Sequence, residues 1–135
     1  EMSGAIGLKQ LEKLPEFVSI RRSNAKLYKE LFSNSSDFII QDECEKSSWF
    51  GFSFILKEDS DLARKDVINI LNENHIDCRP IVAGNFTRNP VIKWMEYEIF
   101  GELTNANRVH DYGFFVGNHQ MDISEELTLL HRLLG

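Results

Sequence analysis

The sequence has little of what several large classes of protein require. No apolar run approaches the roughly 18 residues that a membrane-spanning helix needs, so no membrane span is expected. Lys and Arg total 15 against 21 Asp and Glu, which gives a net charge of −6, and no basic block occurs. Because nucleic-acid binders need clustered Lys and Arg, a nucleic-acid partner is not expected either.

Cysteine is also scarce, with Cys44 and Cys78 the only two. Two unpaired thiols are typical of a reducing compartment, so the sequence predicts a cytoplasmic location. His75 and Cys78 are spaced like half of a metal site, but no second half lies nearby in the sequence. No metal site is therefore predicted.

The usual self-sufficient catalytic motifs are missing. There is no Gly-rich phosphate loop, no Ser nucleophile elbow and no paired-cysteine zinc site. What remains is 135 residues of ordinary globular composition, 42% hydrophobic and 27% charged, which is enough for one domain. We therefore expect a single domain over residues 1–135, with no catalytic and no cofactor-binding residue of its own.

Apolar spacing predicts an α/β fold for this domain. Residues 3–14 have helical spacing, and Pro15 is expected to begin a second helix that ends near Phe32, so 1–32 would form a long helical segment. Gly113 is expected to end a later helix in the left-handed conformation. The remaining elements are strands at 38–41, 49–57, 76–81 and 114–116, and helices at 61–73, 90–95, 104–112 and after 122. This order predicts a small mixed or antiparallel sheet covered by helices, mainly on one side.

The first helix carries more apolar surface than so small a sheet can cover. Its stripe consists of Ile6, Leu8, Leu11 and Leu14. The sequence is also helical from its first residues, with no lead-in. Both observations predict that the chain was cut from a longer protein.

The most suggestive polar residues surround the predicted strand at 76–81. Strand alternation places Asp77 and Arg79 on one face, opposite Cys78. A loop with Asn85 and Phe86 follows, and binding loops commonly lie at such strand ends. A structural ion pair followed by an ordinary loop explains the same residues. The segment after the last strand, 117–119, has a similar character, although its His119 has no evident partner.

Four segments of the sequence resemble the DegT/DnrJ/StrS family of enzymes that modify nucleotide-linked sugars. They are Met2–Leu11, Ser48–Phe52, Cys78–Phe86 and Phe115–His119, and the last three are similar to the 3-dehydratase branch of that family. The resemblance covers essentially all 135 residues. It implies the small C-terminal domain of a fold type I enzyme that depends on pyridoxal phosphate, with the cofactor domain upstream. It also implies a homodimer with active sites at the subunit interface.

The reaction implied by the resemblance is removal of the 3-hydroxyl from a nucleotide-linked 4-keto-6-deoxy sugar, with GDP or CDP as the nucleotide. Such sugars belong to deoxysugar and lipopolysaccharide O-antigen biosynthesis. Pyridoxal or pyridoxamine 5′-phosphate in the full-length enzyme would serve as electron sink, while the isolated chain should bind no cofactor and be inactive. The substrate-binding residues expected here are Asp77, Arg79, Asn85 and Phe86.

Two other functions stay open. One is a pyridoxal-phosphate-dependent sugar-nucleotide aminotransferase of the same family, which only an upstream histidine or lysine distinguishes from a dehydratase. The other is a stand-alone α/β interaction module.

Overall fold

A computed structural model describes all 135 residues of the chain as four helices and a four-stranded sheet. Two short 3-10 helices, Phe86–Arg88 and Pro90–Trp94, lie between the third strand and the third helix. The elements in chain order are α1 (Met2–Phe32), β1 (Phe38–Ile40), β2 (Gly51–Leu56), α2 (Arg64–Glu73), β3 (Cys78–Arg79), α3 (Thr104–Tyr112), β4 (Gly113–Gly117) and α4 (Ser124–Leu134).

The sheet is antiparallel throughout, in the order β1-β2-β4-β3. In the central pair, Phe52 lies opposite Val116 and Phe54 opposite Phe114. The predicted α/β class with a small sheet is confirmed. The two edge strands are short, and the longest pairing joins β2 to β4.

One face of the sheet forms the core. Phe52, Phe54 and Phe114 are fully buried there, against the C-terminal half of α1 and against α2 and α4. Burying a large apolar side chain stabilises a fold by about 1.5–3 kcal/mol, so each of these three rings contributes on that scale. Tyr28 of α1 stacks on Phe52 with ring centroids 4.5 Å apart and donates its hydroxyl to the Ser53 carbonyl at 2.7 Å. Burial raises the pKa of the Tyr28 hydroxyl.

The predicted break at Pro15 was wrong, because α1 is one continuous helix of 31 residues with Pro15 inside it. Proline removes one backbone N–H, which leaves the carbonyl four residues earlier without its helical partner. Here that carbonyl belongs to Leu11, whose surroundings are exposed, so water can replace the missing donor. None of the helices, α1 included, combines the length and apolarity needed to span a membrane.

Two further expectations needed correction around β3 and β4. The strand predicted at 76–81 is only Cys78–Arg79, because Pro80 has no N–H to continue the ladder. Gly113 is extended, with φ −90° and ψ 142°, and not left-handed as predicted. It is required for space: a Cβ there would collide with the Val109 carbonyl and lie 2.9 Å from Ile81 Cδ1.

Candidate functional site

Polar and aromatic side chains meet on the sheet face opposite the core, which we call the second face. Ser53 and Phe115 lie on it, since they alternate with buried core residues along β2 and β4. Arg79 of β3 is paired with Phe115 and so belongs to the same face. A cavity of about 290 Å³ opens there, and we call it the arginine cavity; its lining is Arg21, Phe50, Asp77, Arg79, Phe115, Gly117 and Asn118.

Asp77 and Arg79 form an exposed ion pair at the rim of the arginine cavity. Arg79 Nη2 lies 3.2 Å from Asp77 Oδ2, and the two side chains are 71% and 79% exposed. Such exposed pairs contribute about 0–1 kcal/mol. This contact occupies one guanidinium nitrogen, so the other donors of Arg79 stay available to an anionic ligand. The predicted neighbourhood of Asp77 and Arg79 is thus present in the structure.

Two phenylalanines form an apolar ridge beside these charges. The rings of Phe50 and Phe115 lie 6.2 Å apart, and Phe50 is 78% exposed. The guanidinium carbon of Arg21 lies 5.9 Å from the centre of the Phe50 ring, within the range of a cation–π contact. A second cavity of about 220 Å³ shares both rings and continues along Ile81 and Val82. The ridge therefore separates two adjacent depressions on the second face.

Phe50 reaches this face through an inversion of the strand pattern at Trp49. Alternation with Phe52 would place Phe50 on the core face, yet Trp49 is the residue buried there, at 2% exposure. Trp49 has a φ of 53°, in the left-handed region that bulky residues avoid. Holding a residue in such a conformation costs about 1–3 kcal/mol, so surrounding contacts must compensate for it.

A hydrogen-bonded network on the Trp49 carbonyl supplies these contacts. Arg21 donates to this oxygen from Nε at 3.1 Å and from Nη2 at 2.9 Å. Asn118 donates to it from Nδ2 at 2.9 Å and to the Arg21 carbonyl at 3.0 Å. Asn24, buried in α1, donates to Asn118 Oδ1 at 3.0 Å and to the Met121 carbonyl at 2.9 Å. The network thereby ties α1 to both segments that line the arginine cavity.

Asn85 and Phe86 are not brought into the arginine cavity. Asn85 is 4% exposed, and its amide donates to Asn107 Oδ1 at 2.8 Å while accepting from the Thr87 N–H at 3.0 Å. Its backbone N–H donates to His110 Nδ1 at 3.2 Å. A ligand contact by the Asn85 side chain would have to share or displace these bonds. Phe86 is 46% exposed at the start of the short helix that follows.

Several residues of this face were missed from the sequence. Arg21 was not among the predicted site residues, yet its guanidinium donates to the Ser48 and Trp49 carbonyls. Phe50 and Phe115 had been read only as strand residues. The available signal was the run Trp49–Phe52, whose two adjacent bulky aromatics cannot both lie on one face of a strand.

Two cysteines and two histidines are among the other potentially reactive side chains of this chain. Cys44 and Cys78 are both free, and burial raises the pKa of the Cys78 thiol, which favours its protonated form. His119 lies in a neighbouring cavity of about 310 Å³ that also contains His75, Asp77 and Glu126. No lysine or arginine lines that cavity.

The residues of this chain do not fit the cofactor that the sequence resemblance implies. Pyridoxal phosphate needs an amine or imidazole at its reactive carbon, a partner for its pyridine nitrogen and cationic or backbone donors for its phosphate. None of five cavities on the chain's surface combines a lysine or histidine with both a carboxylate and an arginine.

Comparison with known proteins identifies a family and several relatives of this chain. The model of the DegT/DnrJ/EryC1/StrS aminotransferase family matches residues 1–126. A GDP-4-keto-6-deoxy-D-mannose 3-dehydratase from Yersinia pseudotuberculosis is 51% identical over 135 residues, which cover 99% of this chain and 34% of that protein. The chain thus spans about a third of the length of such relatives.

Two solved structures match the fold closely. The Escherichia coli GDP-4-keto-6-deoxy-D-mannose-3-dehydratase with bound hydrated pyridoxal phosphate superimposes with a TM-score of 0.95 at 45% identity, over 99% of this chain and 35% of that one. A variant of GDP-4-keto-6-deoxymannose-3-dehydratase with bound GDP-perosamine gives a TM-score of 0.94 at 44% identity, over the same shares.

Proposed function

The chain belongs to the DegT/DnrJ/EryC1/StrS aminotransferase family, and from that premise we propose that it is the C-terminal part of a 3-dehydratase acting on GDP-4-keto-6-deoxymannose. The full-length enzyme would use pyridoxal or pyridoxamine phosphate, as the relative with bound pyridoxal phosphate suggests. The observation that carries the proposal is 51% identity to such a dehydratase across 99% of the chain. A CDP-linked sugar remains the alternative substrate.

We assign the arginine cavity to the nucleotide-sugar side of the active site. The ligand would bring two phosphates, and Arg79 places a largely exposed guanidinium at the opening of this cavity. A guanidinium bound to a phosphate makes charge-assisted bonds, which are stronger than neutral ones. Asp77 would orient Arg79 through the 3.2 Å contact. Because the cavities described above lack the groups that the cofactor needs, we assign the chemical step to residues outside this chain.

Asn85 and Phe86 lie outside the arginine cavity, and we propose a different role for each of them. The bonds of Asn85 to Asn107 and His110 hold the loop after β3 against α3. Gly84 helps, since its φ of 58° favours glycine and a Cβ would lie 2.7 Å from His110 Nδ1. We therefore propose that Asn85 fixes the loop and that the half-exposed Phe86 ring contacts the ligand.

We further propose that the full-length enzyme is a cytoplasmic homodimer. The N-terminal half of α1 leaves Ile6, Leu8 and Leu11 at 58–66% exposure. Several large exposed apolar side chains in one helical segment are typical of a surface covered by other protein. The upstream cofactor domain and the second subunit would cover it.

The test is product analysis with the full-length protein, GDP-4-keto-6-deoxymannose, pyridoxal phosphate and glutamate as amino donor. A dehydratase should release a sugar nucleotide that has lost the oxygen at C3, which mass spectrometry and NMR of the sugar ring detect. A product in which the keto oxygen is replaced by an amine would establish the aminotransferase instead. Absence of any product, with the GDP- and CDP-linked sugars alike, would favour an interaction module.

A further inference from the structure

We propose that Phe50 is a binding contact for the nucleotide sugar, and that Asn118 and Arg21 are positioning residues that hold it through the left-handed backbone of Trp49. The identity of the ligand rests on the function proposed above. The positioning mechanism rests only on contacts within this chain.

The strand pattern is inverted at Trp49 and Phe50. A regular strand would bury Phe50 next to Phe52 and expose Trp49. The positive φ of Trp49 reverses this, so the larger indole enters the core and the Phe50 ring faces solvent. Burying a phenylalanine would be favourable, whereas strain and an exposed ring are both unfavourable. Burial of the indole offsets the exposure of the Phe50 ring, but the backbone strain at Trp49 remains, and it serves to place Phe50 outside the core.

Gly51 leaves an open space beside Phe50. Gly51 has no side chain, and a Cβ there would lie 2.9 Å from the Phe115 ring and 2.7 Å from the Val116 carbonyl oxygen. This gap lets the Phe115 ring lie across β2 and meet Phe50 at 6.2 Å. The two rings then offer one apolar surface next to the Arg79 guanidinium. An aromatic surface beside a cation suits a ligand that joins a planar or apolar ring to phosphate.

The hydrogen bonds from Arg21 and Asn118 to the Trp49 carbonyl hold its backbone in place, and we call them the clamp. Three donor groups converge on this single oxygen, two from Arg21 and one from Asn118, at 2.9–3.1 Å. Asn118 also extends the ladder with its backbone N–H, which donates to the Phe50 carbonyl at 3.3 Å. Loss of the clamp would let Trp49 relax toward negative φ, and Phe50 would turn with it.

The experiment uses the full-length protein with Phe50→Ala, Asn118→Asp and the double variant. Asn118→Asp keeps the shape and the acceptor for Asn24 but removes both donated bonds. Asn118→Ala serves if the aspartate variant does not fold, and Asn69→Ala, on the exposed side of α2, is the matched control. Phe50→Ala should raise KM for the sugar nucleotide about two- to tenfold, which is the size of effect expected for one aromatic contact. The kcat should stay unchanged, because such a contact binds the ground state and the transition state equally.

If Asn118 acts through Phe50, its substitution should raise KM in the native background and have little further effect in the Phe50→Ala background. An equal KM increase in both backgrounds would overturn the positioning role. An unchanged KM in Phe50→Ala would overturn the contact.

A second readout needs no turnover. Incorporation of 4-fluorophenylalanine at position 50 gives one 19F resonance, which Asn118→Asp should shift or broaden and Asn69→Ala should leave in place. An unmoved resonance in the Asn118 variant would refute the clamp, whatever the enzyme's reaction proves to be. A shifted resonance without sugar-nucleotide turnover would support the clamp and count against the proposed function alone.

Discussion

Replacing Arg79 by alanine in the full-length protein removes a guanidinium from the rim of the arginine cavity and little else. The Arg79 side chain makes one hydrogen bond, the 3.2 Å ion pair with Asp77, and both side chains are more than two-thirds exposed. The fold should therefore lose at most about 1 kcal/mol. A charge-assisted bond to a phosphate is worth about 1.5–3 kcal/mol, so kcat/KM should fall by about tenfold to a hundredfold.

Arg88 provides a matched control for this prediction. It forms an ion pair of the same kind, 2.7 Å from Asp111, but lies outside the arginine cavity. Steady-state kinetics and a thermal melt should be measured for both alanine variants. The reasoning is refuted if Arg79→Ala keeps near-native kcat/KM, or if its activity falls only in step with its melting temperature, as a purely structural ion pair would require.

Four further outcomes are expected. Asn24→Ala should destabilise the fold by about 1–3 kcal/mol, because buried acceptors lose their donor, whereas Asn69→Ala should change the unfolding midpoint little. In the isolated chain, Met2–Leu14 should exchange its amide hydrogens quickly or the chain should self-associate; strong protection in a monomer would contradict the exposed stripe. The isolated chain should give no specific absorbance shift with pyridoxal phosphate beyond a surface-lysine control. Hydrogen bonds from Ser36 and then Ser60 lower the pKa of Asp37. The ionised carboxylate therefore stabilises the fold fully above its ordinary pKa, and this stabilisation disappears as the pH falls through the lowered pKa. In urea titrations, Asp37→Asn should thus cost stability at about pH 7 and little at about pH 2.

Local patterns predicted the layout of the fold well. Short runs of aromatic and β-branched residues identified β2 and β4, and helical spacing identified α2 and α4. The continuity of α1 could not be predicted, because proline's effect depends on whether the orphaned carbonyl meets water or protein. The role of Gly113 depends in the same way on a tertiary neighbour, Ile81.

The candidate site was only half accessible from the sequence. Asp77 and Arg79 were identified because they are neighbours on one strand. Phe50, Arg21 and Asn118 are separated by up to 97 positions and meet only through strand pairing and the packing of α1. The positive φ of Trp49 could not be predicted from residue propensities either, because tertiary hydrogen bonds hold this residue in the left-handed region.

The most direct test of the central claim is a crystal structure of the full-length protein with GDP-perosamine, the ligand bound in the similar dehydratase structure. The ligand should lie against the second face, with a phosphate, ribose or sugar oxygen within hydrogen-bonding distance of the Arg79 guanidinium and a ring in contact with Phe50. A fully ordered ligand that touches neither residue would contradict the assignment of the arginine cavity to the substrate site.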